Sequence, residues 1–85
     1  MKFIYTDHAE EKLQRKDIKG FGINKKLLES AFITPNYPIG KTSTGEFAGV
    51  VNLKGIYILR GIYDNIGSDT KIITFHVAKK GRYGN

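Results

Sequence analysis

Eighty-five residues without a cysteine exclude a second domain and any disulfide or thiolate-metal staple, so one packed core has to hold the chain together. Hydrophobic residues make up 40%, with five Phe and five Tyr but no Trp, which suits a compact α+β domain and excludes a wholly disordered segment. The formal net charge of +6 draws polyanions, nucleic acid first among them.

The opening MKFIYTDHAEEK holds no apolar core long enough for a signal peptide, and no later stretch reaches the length of a membrane span. The expected location is the cytoplasm. Residues 2–5 read as a short strand. Asp7 then reads as an N-cap, with Glu10 three residues on in a capping-box arrangement that opens a helix through about residue 16. Ala9 and Leu13 give that helix a thin apolar stripe. The glycines of KGFG at 19–22 interrupt the chain.

A second helix comes next. Asn24 is its N-cap, and Ile23 and Leu28 have the spacing of a hydrophobic staple. Leu27, Leu28, Ala31 and Phe32 share one face, which must pack against a sheet. Pro35 ends the helix, Pro38 limits the next segment to an edge strand or loop, and GKTSTGEF is turn-like. From Phe47 onward the apolar period becomes two. Residues 47–53, 56–63 and 70–78 are strand-like, joined by NLKG and DNIGSD in the manner of an antiparallel meander. The expected fold is α+β, with a short N-terminal strand, two helices and a three- to four-stranded antiparallel sheet in one domain over residues 1–85.

Few residues remain for chemistry. His8 and His76 are the only histidines, and Glu10 and Glu11 point to different sides of a helix, so no metal site and no cofactor are expected. GFG lacks the preceding strand and following lysine of a phosphate loop, and no serine sits in a nucleophile elbow. Arg60 falls on the strand face of Ile56, Ile58 and Ile62, where it either pairs at the core margin with Asp64, Asp69 or a carbonyl, or serves a ligand. His76 alternates with Ile72 and Thr74, leaving Ile73, Phe75 and Val77 the more apolar face. One strand's periodicity does not settle whether Arg60 and His76 share a face.

The tail carries Lys79, Lys80 and Arg82 ahead of Tyr83. It reads either as a solubilising end or as a phosphate grip beside a stacking ring. His8, Lys12 and Arg15 fall on one stripe of the first helix, within reach of a common ligand.

The N-terminal strand leading into TDHAEEKLQRKDI, the second helix ending before a proline, the arginine of YILRGIYD and the last strand running into KKGRY together resemble the small RelE-like domains of the barnase, EndoU, colicin and RelE superfamily. BrnT-like toxins, and a group of small proteins opening with a similar His-Ala helix, are the nearest in pattern. The resemblance covers nearly the whole chain. It implies an RNA-cleaving site on the sheet, in a toxin neutralised by a partner antitoxin. By position it carries His8 and Arg15 onto the first-helix pair, Arg60 onto the central-strand arginine, and Arg82 with Tyr83 onto the C-terminal pair. Lys12 departs from many relatives, and the C-terminal extension of some BrnT-like members is missing after Tyr83.

The expected activity is therefore metal-independent RNA cleavage, free or on the ribosome, with Arg60, His76, Arg82 and Tyr83 as catalytic residues. His8, Lys12, Arg15, Lys79 and Lys80 are the expected nucleic-acid contacts, and an acidic antitoxin is the expected protein partner. The alternative is a non-catalytic module of the same fold that binds nucleic acid or a partner.

Overall fold

The computed structural model describes residues 2–33 and 37–81. Its elements run β1 (Phe3–Tyr5), α1 (Asp7–Leu13), α2 (Lys16–Gly20), α3 (Lys25–Ile33), β2 (Tyr37–Lys41), β3 (Phe47–Asn52), β4 (Tyr57–Ile66) and β5 (Asp69–Lys79). The strands form one five-stranded sheet in the order β1-β5-β4-β3-β2. The class is α+β, as the sequence implies, but with three helices in place of two. The sheet is also mixed, because β1 pairs parallel to β5 while the other pairs are antiparallel.

The predicted first helix splits because of its apolar spacing. Ala9 and Leu13 are four apart, but Ile18 follows Leu13 by five, which on a continuous helix would carry it well off their stripe. The chain stops helix α1 at Leu13, passes Arg15 in an extended conformation (φ −68°, ψ 140°) and restarts, so that Ile18 is buried beside Leu13. The N-cap is Thr6 and not Asp7. Its hydroxyl oxygen accepts from the Ala9 amide at 3.1 Å and donates to the Ile73 carbonyl at 2.8 Å, tying the helix start to β5. Asp7 moves into the first turn, where a carboxylate favours the helix dipole.

Helix α3 matches its sequence signals. Asn24 caps it through Oδ1, which accepts from the Leu27 amide at 2.9 Å, and Ile23 and Leu28 are both buried. Leu28 and Ala31 enter the core, with Leu27 and Phe32 packed against it. The helix sits on a cross-strand glycine pair, since Gly49 of β3 lies directly opposite Gly61 of β4. A Cβ on Gly49 would stand 2.2 Å from the Ala31 carbonyl oxygen, and one on Gly61 would stand 2.7 Å from the Phe32 ring. Phe32 extends from this saddle into an aromatic run, 4.3 Å from the Tyr63 ring and 6.3 Å from the Phe3 ring between centroids.

β4 continues to Ile66, three residues beyond the predicted end. The turn within DNIGSD narrows to Gly67-Ser68, with Gly67 in the positive-φ conformation (62°) that suits a two-residue hairpin. A bulge shifts the pairing from Ile62↔Thr74 to Tyr63↔Ile72. The extra residue breaks the alternation expected for β5. Ile72 and Phe75 are both fully buried in the core under the helices, although their spacing is odd.

Candidate functional site

The register settles the relation of Arg60 to His76. They are Cα partners across β4 and β5, and Val50 is opposite Arg60 on β3, so Val50, Arg60 and His76 form one row. Val51, Leu59 and Val77 form the adjacent row, and all three belong to or pack on the core under the helices. Strand alternation therefore puts Arg60 and His76 together on the opposite sheet face, at the separation where cross-strand side chains interact. Both are half-buried. Along β4 the arginine lies between Ile58 and Ile62, both buried, while Ile56 lies in the preceding turn and is exposed.

The second part of the site lies where β1 ends. Pairing of β1 with β5 stops at Tyr5↔Ile72, and α1 covers the strand edge beyond it. The Thr6 amide donates to the Ile72 carbonyl at 3.2 Å, and farther along the Lys12 ammonium donates to the Phe75 carbonyl. Lys12 Nζ also stands 5.4 Å from the centroid of the Phe75 ring. Partial burial, and after it the nearby charge of Arg15, pulls the Lys12 pKa below its ordinary value, against the opposing pull of Asp17.

Beside this edge is an open depression of about 210 Å³ lined by Lys12, Arg15, Asp17, Ile18, Phe21, His76 and Val77. Arg15 is held there by Asp17 through a forked contact, Nε to Oδ1 at 3.2 Å and Nη2 to Oδ2 at 3.0 Å. A second hollow of about 310 Å³, lined by His8, Glu11, Lys12 and Arg15, continues along α1. Helix α1 ends at Leu13, so Arg15 leaves the predicted helical stripe of His8, Lys12 and Arg15 and stands instead at the start of α2. The two hollows still bring the three residues onto one surface with His76, which joins it to Arg60. Cationic groups of α1, β5 and β4 succeed one another around the sheet edge, a path suited to the spaced charges of a polyanion.

Lys79 and Lys80 are exposed at the end of β5. Lys79 is opposite Tyr57, whose ring meets that of Phe21 edge-on at 5.3 Å. Arg82 and Tyr83 lie outside the described residues. Among the described residues, no cluster of three or more His, Cys, Asp or Glu is placed to hold a metal ion, and no helix is long and apolar enough to cross a membrane.

Sequence reasoning missed Phe21, Tyr57 and Asp17. Phe21 carried a usable signal, as an aromatic between two glycines in a break, outside any helical or strand period. Tyr57 and Asp17 became visible only through pairing and the split of the first helix. No family model, no curated protein and no solved structure matches the chain.

Proposed function

We propose that this protein is a metal-independent endoribonuclease of the cytoplasm, toxin-like and controlled by an acidic partner protein. The carrying observation is the direct cross-strand pairing of Arg60 with His76 on one sheet face, beside Lys12 of α1 and Arg15 at the start of α2. Neutral His76 takes the proton from a ribose 2′-hydroxyl, and the oxygen attacks the adjacent phosphorus. Arg60 pairs with the non-bridging oxygens as negative charge grows on the phosphorane. The bond to the 5′ oxygen breaks, and that oxygen takes a proton from the Lys12 ammonium, which partial dehydration makes more acidic. The products are a 2′,3′-cyclic phosphate and a 5′-hydroxyl end. The resemblance to RelE-like domains supports the same reading and assigns Arg82 and Tyr83 to the site from the tail.

The test is end-labelled RNA incubated with the protein in EDTA, with and without ribosomes, beside His76→Ala and Arg60→Gln. Wild type is expected to leave cyclic phosphate ends, and each variant to cleave roughly 100-fold more slowly or worse at an unchanged urea midpoint. Undiminished cleavage by His76→Ala would remove the assigned base. Intact RNA throughout, with salt-sensitive binding, would favour a binding module.

A further inference from the structure

The depression beside β5 is not uniformly polar. Phe21 is among its lining residues, and the ring is half-buried, meets the Tyr57 ring edge-on at 5.3 Å between centroids and packs against the core. Gly20 and Gly22 flank it with no side chains of their own, and Gly22 takes a positive φ of 76° as the chain turns from α2 toward α3. An aromatic ring packed on the core therefore lines the same opening as Lys12, Arg15 and His76. Two of those groups are permanent or near-permanent cations, and Asp17 offsets part of their charge while fixing the Arg15 fork. An aromatic platform next to spaced cations matches a nucleotide, whose base presents a π-face and whose phosphate presents charge. A plain anion would leave the ring unused, and an aliphatic ligand would leave the cations unused.

We propose that this depression is a nucleobase subsite, in which one base of single-stranded RNA stacks on Phe21 while Lys12 and Arg15 hold the neighbouring phosphate. The inference rests on the RNA reading above and adds to it where the strand lies: across the β5 edge, from the α2 turn toward Arg60. Stacking accepts every base, so this subsite selects unpaired RNA over duplex without selecting a sequence.

The experiment separates binding from cleavage. Labelled 2′-O-methyl oligouridylate, which cannot form a cyclic phosphate, is titrated in EDTA at fixed salt beside an abasic ribose-phosphate oligomer of equal length. Wild type is expected to prefer the base-bearing oligomer. Phe21→Leu should lose roughly ten-fold toward it and little toward the abasic one, while Phe21→Tyr keeps the preference. Without any variant, Phe21 ring resonances should move on adding the base-bearing oligomer and stay in place with the abasic one. Equal affinity of wild type for both oligomers, or still ring resonances, overturns the subsite while the phosphate contacts survive. Binding of neither oligomer overturns the subsite together with the RNA reading. Base-dependent binding through Phe21, with no cleavage of unmodified RNA, upholds the subsite and removes only the catalytic step.

Discussion

Tyr5 shows how one side chain couples strand, helix and pH. Its phenol donates to Glu29 Oε2 on α3, and Lys25 Nζ lies 4.7 Å from its ring centroid while also bridging to Glu10 Oε2 at 3.1 Å. Burial, then the Glu29 hydrogen bond and charge, push the phenol far above its usual pKa of 10.0, and burial raises Tyr63 as well. Above pH 10 the unfolded chain sheds these protons and the folded chain keeps them, so the unfolded state binds fewer protons and stability falls as pH rises. Lys12 acts in the opposite sense. Its folded pKa lies below 10.5, so stability rises with pH as the folded ammonium, and then the unfolded one, loses its proton. Tyr5→Phe is expected to cost about 1.5–3 kcal/mol at neutral pH, by losing a hydrogen bond to a charged acceptor, and to flatten the decline above pH 10. Urea midpoints on either side of pH 10 check both; an equally steep decline in the variant would show that Tyr5 does not control it.

At the scale of elements, the seat of α3 on Gly49 and Gly61 decides how closely the helix approaches the sheet. A methyl at Gly49 meets a backbone oxygen at 2.2 Å, which yields only if the helix lifts, whereas one at Gly61 meets a ring edge at 2.7 Å. Gly49→Ala is therefore expected to destabilise by about 3 kcal/mol, at the upper end of overpacking costs, and Gly61→Ala by less. Phe32→Leu should offset part of the Gly61→Ala cost and none of the Gly49→Ala cost. A Gly49→Ala urea midpoint near wild type would mean that the helix is not pinned there. The helix itself was legible, because Asn24, Ile23 and Leu28 are local signals separated by a few residues. Its seat was not, because a glycine in a strand reads as weakness until register places it opposite another. The same limit hid the β5 bulge: alternation grouped Ile72 with His76 and apart from Phe75, whereas Ile72 and Phe75 are both buried in the core.

For the molecule as a whole, what the sequence could not show is mostly long-range pairing. A three-residue β1 holds too little pattern to name its partner, and the parallel pairing with β5 joins residues 3–5 to 70–72 across nearly the whole chain. That pairing has a functional consequence. Because β1 stops at Tyr5, the rest of the β5 edge is left for α1 and the start of α2, and His8, Lys12 and Arg15 come to lie along it. The grouping of His8 with Lys12 was readable, but Arg15 joins them through the helix break after Leu13 and not through one helical stripe, and the meeting with His76 was not readable. The +6 charge thereby gains a direction, with cations led around one edge of the sheet. If Lys12, Arg15 and Arg60 each contact a phosphate of single-stranded RNA, the logarithm of the binding constant should fall with the logarithm of salt at a slope of roughly −2, near 0.7 per contact. Arg60→Gln should make that slope shallower by roughly 0.7, whereas replacing Lys26, exposed on α3 away from this edge, should leave it unchanged. Anisotropy titrations across a salt series, with the 2′-O-methyl oligomer, measure both slopes. Equal changes from the Arg60 and Lys26 substitutions would mean that binding responds to net charge alone, and that the edge of the sheet does not define a path for the strand.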